Sequence, residues 1–255
     1  MPGLLAGKQV LITGVLTESS IAFHAAKVAQ EQGAQVVLTG YGRLSLVRRI
    51  ANRLPDPPPV IELDVTDQQM LDGLDAQLRE HVDGLDGVLH SIAFAPRSCL
   101  GEGFLEAPWQ DVATAVEVSA YSLKSLAVAC RPLLRPGSAL VGVDFDARVA
   151  WPGYDWMGVA KAALESTTRY LARELGPEGV RVNLVAAGPL RTVAARSIGG
   201  PDDVEQAWKE RAPLGWDSSD PEPVGRTICA LLSDWLPVTT GSMVLADGGF
   251  HAVGP

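Results

Sequence analysis

Two patterns of apolar residues alternate along this chain. Short β-type runs, rich in Val, Ile and Leu, fall at 9–12, 36–38, 60–63, 85–90, 138–143, 180–185 and 243–245. Between them apolar residues recur at helical spacing. Ile21, Ala25, Val28 and Ala29 mark a helix over 20–32, and Gly33 is placed to end it. Further helices are predicted over 44–54, 67–81, 107–134, 155–175, 204–211 and 223–235. The run Pro55-Asp56-Pro57-Pro58-Pro59 reads as a rigid loop rather than a domain linker, because the β/α alternation resumes at once. No internal repeat interrupts the series. The pattern predicts an α/β fold: one domain over 1–255, a doubly wound seven-stranded parallel sheet with helices on both faces.

Composition narrows the function classes. The chain has 255 residues, 47% hydrophobic and 20% charged, which is an ordinary globular balance and argues against disorder. A formal net charge of -9 is the opposite of a nucleic-acid footprint. Cys99, Cys130 and Cys229 are widely spaced and form no Cys-x-x-Cys pair, so neither a disulfide framework nor a zinc site is expected. Reduced thiols and the lack of a signal-type start suit a cytoplasmic enzyme. No unbroken apolar run reaches about 18 residues, so no membrane span is expected. His24, His81, His90 and His251 lack metal-ligand spacing, and no metal is expected.

In a doubly wound sheet the ligand meets the loops that follow the strands. Here those loops lie near Gly14, Tyr41, Asp64, Ser91, Asp144 and Gly188. Gly14 allows close backbone approach to a phosphate, and Ser19 or Ser20 can cap the next helix, whose N-terminus favours an anion. A glycine turn before a serine-capped helix is also an ordinary connection. The other loops add to it. Asp64-Val65 can accept from an adenine amine. Ser91-Ile92-Ala93 offers small residues beside a ribose. In Ala187-Gly188-Pro189-Leu190-Arg191-Thr192 the backbone can meet a carboxamide and Thr192 a phosphate. Together these point to a nicotinamide dinucleotide on a Rossmann-type sheet.

Tyr154 and Lys161 stand seven apart, about two helical turns, and so share one face. In isolation that is a plain helix face. In a reductase, a lysine ammonium can hold the cofactor ribose and make phenolate character on the tyrosine less costly. The tyrosine can then donate to an oxygen gaining charge.

The segment Asp144-Phe145-Asp146, followed by Trp151-Pro152-Gly153-Tyr154-Asp155-Trp156-Met157-Gly158-Val159-Ala160-Lys161, resembles the catalytic stretch of the enoyl-acyl-carrier-protein reductases. These form a divergent branch of the short-chain dehydrogenase/reductase superfamily that spaces tyrosine and lysine seven apart rather than four. The similarity runs through Ser19-Ser20-Ile21-Ala22-Phe23-His24, His90-Ser91-Ile92, Ala186-Ala187-Gly188-Pro189 and Ala230-Leu231-Leu232-Ser233-Asp234-Trp235, which look like the actinobacterial members. The resemblance implies NADH-dependent reduction of a trans-2-enoyl thioester carried on acyl carrier protein. Tyr154 would serve the carbonyl oxygen, Lys161 the cofactor, and Phe145 would pack near nicotinamide and substrate. Gly14, Ser20, Ile21, Tyr41, Asp64, Val65, Ser91, Ile92, Ala93, Gly188, Leu190 and Thr192 would line the cofactor site. It further implies a homotetramer built on the long helices from Ala107 and Asp155. The alternatives are a ketone reductase of the same superfamily and a non-catalytic NAD-binding paralogue.

Three departures from the family pattern matter. Gly42 stands after Tyr41 where the mycobacterial type is acidic, and Arg43 follows, which leaves NADPH open beside the favoured NADH. The segment over 193–212, where the family places its substrate cover, is short, which predicts a shallow crevice and short to medium acyl chains. Its Asp202, Asp203 and Glu205 are acidic, whereas a surface for acyl carrier protein should be basic. Arg191, Arg196, Lys209 and Arg211 are candidates for that charge, and a solvated helix face is the equal alternative. Finally, Ala93 replaces an expected glycine and Trp151 is bulky beside the expected acyl site.

Overall fold

The computed structural model describes residues 2–101, 103–193, 195 and 201–254, with side chains of the last segment from 204 onward. Seven strands form one parallel sheet: β1 Gln9–Ile12, β2 Gln35–Gly40, β3 Val60–Glu62, β4 Leu85–His90, β5 Leu134–Asp144, β6 Arg181–Ala187 and β7 Met243–Ala246. Their order is β3-β2-β1-β4-β5-β6-β7. The chain winds outward from β1 to β3, then crosses back to β4 beside β1 (Leu11 opposite Val88) and winds the other way. That reversal opens a crevice at the carboxyl ends of β1 and β4. The predicted doubly wound sheet is therefore the fold.

Helices cover both faces. One face carries α1 (Ile21–Glu31), α2 (Leu44–Ala51) and α9 (Glu222–Leu232). Ala22, Ala25, Ala26 and Ala29 of α1 are buried and let it lie close to α9, where a side chain on Gly225 would come within 3.0 Å of the His24 backbone. The other face carries α5 (Trp109–Val116), α6 (Ser122–Cys130) and α7 (Asp155–Leu175), which bury Leu123, Leu126, Leu164 and Leu171 against β4, β5 and β6. Each such leucine, taken fully from water, contributes roughly 1.5–3 kcal/mol. Arg181 is buried and donates to the carbonyls of Leu231 (2.9 Å) and Ser233 (2.8 Å), which ties the end of α9 to β6.

Two elements depart from the expected pattern. The predicted helix over 67–81 is two short ones, α3 (Gln68–Asp72) and α4 (Leu74–Leu78), broken at Gly73, a poor helix former. Asp67 caps α3 through the Gln69 and Met70 amides. The predicted helix over 107–134 contains a π-helical turn at Glu117–Tyr121, which joins α5 to α6 with the ladder shifted by one residue. The stretch Trp109–Leu133 also has the length and composition of a membrane span, although charged residues interrupt it; in this fold it packs on the sheet and on α7, with 44% of its most apolar window buried. The remaining helix, α8 (Pro201–Arg211), lies over the carboxyl end of β6.

Candidate active site

The expected site residues converge on the carboxyl edge of the sheet. Gly14 leaves β1 with φ +86, and a Cβ on it would sit 1.9 Å from the Ser91 carbonyl oxygen after β4. No side chain fits between these two loops, so backbone lines the floor of the crevice there. Thr13 pins the strands: its hydroxyl donates to the Leu89 carbonyl (2.9 Å) and accepts from the Ser91 amide (3.1 Å). Ser20 starts α1 but does not cap it with its side chain, contrary to expectation. Its hydroxyl turns back and accepts from the Leu16 and Thr17 amides (3.2 and 3.0 Å), holding the Gly14 loop instead. The first amides of α1 keep the freedom to meet an anion. Ile21 is the first residue of α1 and is half-buried.

Tyr41 is 63% exposed beside Asp64, whose carboxylate, with its hydrogen bond, raises the phenol above its usual range. Asp64 is fixed in turn by the Thr66 amide (2.9 Å) and hydroxyl (2.7 Å). An exposed ring beside a held carboxylate suits a purine's face and its amine. Val65 is buried below them, and Ser91 and Ile92 are half-buried along the crevice, with Ala93 exposed. On the far side Gly188 follows β6. A Cβ there would lie 2.7 Å from Trp208 Nε1 and 2.8 Å from Trp216, so two indoles press on the bare backbone. Trp216 also donates to the Pro189 carbonyl (2.6 Å), and Leu190 is buried. Thr192 is half-buried, and its hydroxyl accepts from the Ala195 amide (3.2 Å).

Tyr154 is the residue that precedes α7 and Lys161 lies on its second turn, 7% and 5% exposed. The approach to α7 is bent by Gly153 at φ +71 and Asp155 at φ +41, the latter a left-handed conformation uncommon for a non-glycine residue. Burial pushes the Tyr154 phenol well above its usual range, and the Asp144 charge adds to this. That shift runs against the easing of a phenolate by Lys161, because burial dominates the phenol's environment. Lys161 donates to the Val143 carbonyl (2.8 Å), and burial lowers its ammonium while Asp144 opposes that shift. Asp144, 4% exposed, ends β5 with both carboxylate oxygens buried and without a partner among the described residues. Burial raises it to about 7 against the pull of Lys161. Phe145 lies edge-on to Tyr154, centroids 5.2 Å apart.

Two contributors escaped the sequence reading. Asp144 was placed at a strand end and matched to the family, with no role assigned to its carboxyl group. Ser119, buried in the π-helical turn, accepts from the Phe94 amide (2.9 Å) and donates to the Phe94 carbonyl (2.9 Å), fixing the loop after β4. Nothing in a helical pattern marks that turn, since the extra residue shows only in the hydrogen-bond ladder. His90, fully buried beneath, pairs with the Ser122 hydroxyl (2.7 Å); burial, with Lys161 adding, drives it to about 3 and keeps it neutral.

A family model described as enoyl-(acyl carrier protein) reductase matches residues 14–251. The chain belongs to this family. It is 53% identical to an enoyl-[acyl-carrier-protein] reductase [NADH] of Mycolicibacterium smegmatis, with 98% of each chain covered. A protein of the same name from Mycobacterium avium is 51% identical over 98% of both. An enoyl-[acyl-carrier-protein] reductase [NADPH] of Staphylococcus aureus is 36% identical, also over 98% of both.

In this enoyl reductase the segment 193–212, the expected substrate cover, is only partly described: Arg196 and the side chains of Asp202 and Asp203 lie outside the described residues. The described part counts against a free basic surface. Arg191 donates twice to Glu205 (2.9 and 2.7 Å), and Lys209 pairs with the same carboxylate at 2.8 Å. These bonds, Arg191 first and Lys209 second, hold Glu205 down to about 2. Arg211 donates to the Val253 and Gly254 carbonyls and lies over the Phe250 ring. Three of the four candidate docking cations are thus engaged within the chain.

Proposed function

We propose that this chain reduces enoyl thioesters with NADH, using Tyr154, Lys161 and Phe145 at the crevice floored by Gly14 and Gly188. The observation that carries the reading is the buried pair Tyr154 and Lys161, seven residues apart at the start of α7, in a chain that matches reductases of that activity end to end. Glycines at 14 and 188, where a Cβ would collide, form the bare backbone cradle a dinucleotide needs. Ser20, Ile21, Tyr41, Asp64, Val65, Ser91, Ile92, Ala93, Leu190, Thr192 and Lys161 would hold the cofactor along that cradle. When bound, NADH supplies the hydride that reaches the β-carbon of the substrate.

The residues do the rest. Tyr154, a neutral phenol in an apolar pocket, donates a hydrogen bond to the thioester oxygen as that oxygen gains charge, where low polarity strengthens the bond. Lys161 keeps its ammonium at the carboxyl end of β5, in reach of a ribose on the crevice side. Phe145 excludes water from the reacting carbons. Exposed Tyr41 beside Asp64 suits an adenine, and the [NADH] reductases at 53% and 51% identity support NADH over NADPH despite Arg43. The short cover supports short to medium acyl chains. The substrate would arrive on acyl carrier protein, in fatty acid biosynthesis, and the enzyme would be a cytoplasmic homotetramer paired through α5, α6 and α7.

The test is oxidation of NADH and, separately, NADPH by the purified chain with enoyl thioesters of graded length, on coenzyme A and on carrier protein. Turnover that requires the enoyl group and prefers NADH is the expected result. Turnover with ketones alone, or tight NADH binding with no turnover, would replace the reading by a carbonyl reductase or a non-catalytic paralogue.

A further inference from the structure

The apolar surroundings of Tyr154 end in a wall of rings, and its last member comes from the C-terminal segment, where no motif drew attention. Phe145 lies 5.2 Å from Tyr154, Trp151 lies 5.3 Å from Phe145, and Trp208 lies 5.1 Å from Trp151, all between ring centroids. Phe250 then stacks on Trp208 at 3.6 Å, the planes 5° apart. An acyl chain in contact on both sides needs about 7 Å between ring faces, twice a carbon contact of about 3.5 Å. The ring pairs of this cluster stand 3.6 to 6.0 Å apart, so no methylene passes between them.

Behind the wall lies a cavity of about 370 Å³. Its lining includes the rings of Phe145, Trp151, Trp208 and Phe250 and, at its polar side, Asp146, Arg148, Asp247 and His251, but not Tyr154. That volume is within the range of small-molecule pockets, about 300–1,000 Å³. Phe250 is held firmly in that lining. The Asp247 carboxylate accepts from the Gly249 amide (2.9 Å), the His251 amide (3.0 Å) and the His251 ring (2.9 Å). The Arg211 guanidinium lies 4.8 Å over the Phe250 ring. A ring fixed from both sides, with empty space behind it, acts as a stop.

We infer that Phe250, seated on Trp208, closes the acyl crevice of this enzyme and sets the longest enoyl chain it accepts, leaving the cavity behind as room a longer chain does not reach. The inference rests on the reading that Tyr154 receives the thioester carbonyl. It adds the residue that limits the substrate, one outside both the catalytic segment and the cover.

The experiment compares wild type with Phe250→Ala and Phe250→Leu, as full chains, on crotonyl and dodecenoyl thioesters. Phe250→Ala is expected to raise the dodecenoyl-to-crotonyl ratio of kcat/KM by about fourfold for each methylene newly buried, hence at least about tenfold for two or more. Crotonyl kcat/KM serves as the reference, because changes common to both substrates cancel in the ratio. Phe250→Leu should give a smaller shift of the same sign, and it decides the matter if the alanine variant does not fold. An unchanged ratio in a variant with wild-type NADH affinity would overturn the inference, as would a wild type that already reduces dodecenoyl and crotonyl thioesters equally well. A wild type that reduces no enoyl thioester would bring down the underlying reading, and the inference with it.

Discussion

Gly14→Ala tests the cradle most directly, because the structure supplies the size of the effect. The new methyl would start 1.9 Å from the Ser91 carbonyl oxygen, where real contacts essentially never fall under 3.0 Å. The loops after β1 and β4 must therefore part by about 1.1 Å, more than a packed interior gives without loss. Parting them breaks the bond from the Ser91 amide to the Thr13 hydroxyl, worth about 1 kcal/mol. Placing alanine at φ +86 adds roughly 1–2 kcal/mol. The sum, about 2–3 kcal/mol, should lower Tm by roughly 4–12 °C in a chain of this length. The control is Gly7→Ala. Gly7 has φ +75 and nothing within 4 Å of its Cβ position, so it carries only the conformational part, about 1–2 kcal/mol. Thermal unfolding followed by circular dichroism, with NADH titration by fluorescence, separates the two. Gly14→Ala should lose both stability and at least about tenfold in NADH affinity, equivalent to about 1.4 kcal/mol. Gly7→Ala should keep its affinity. Equal Tm losses in the two variants, or unchanged NADH binding in Gly14→Ala, would refute the cradle.

Other predictions address the remaining parts of the site. Tyr154→Phe should lower kcat by about 10²–10³-fold with NADH affinity intact, since it removes one donor to the charged oxygen; unchanged turnover would take Tyr154 out of the reaction. Lys161→Ala should weaken NADH binding, and fluorescence titration giving the wild-type Kd would contradict its ribose role. Asp144 rises from 3.8 to about 7 on folding, so the folded chain holds its proton longer; stability is lost as pH climbs between those values, up to about 4 kcal/mol above pH 7. Asp144→Asn removes that loss; denaturant titrations with the same pH slope for both proteins would show that the carboxyl group is not held protonated. Glu205 is depressed to about 2, so its pairing stabilises above the ordinary carboxylate range and is lost as pH falls through about 2. Glu205→Gln should cost about 1 kcal/mol, or roughly 2–4 °C, at pH 7. The gap should close as pH falls toward 2, and a gap independent of pH would count against the pairing.

Much of this protein was legible in its residues one stretch at a time. Strand and helix periodicity depends on local spacing, so the seven strands and the helix Asp155–Leu175 could be read without knowing their neighbours. The glycine at 14 and the seven-residue interval from Tyr154 to Lys161 are likewise local, and they led to the family. Where local signals conflicted, the reading slipped: Gly73 split one predicted helix, and the π-helical turn at Glu117–Tyr121 left no periodic trace. Ser20 illustrates a subtler limit. Its type and position suit a helix cap, but its hydroxyl has two competing sets of amides within reach, and the loop set holds it.

Only the tertiary structure decided the features that depend on distant parts of the chain meeting. The strand reversal that brings Gly14 against Ser91 is a fact of sheet order, and the local pattern is the same for any order. The neutral Tyr154 and the raised Asp144 follow from burial, which no spacing reveals. Arg191, Lys209 and Arg211, which suit a carrier protein by charge alone, are engaged by Glu205 and the C-terminal carbonyls once the chain folds. Phe250, about a hundred residues from Phe145 in sequence, joins the wall beside it only in three dimensions. Sequence by itself determined most of the elements, the family and the Tyr154–Lys161 interval, because each depends on neighbours along the chain. Polarity, pairing and the end of the acyl crevice depend on neighbours in space, and only the packed fold supplies those.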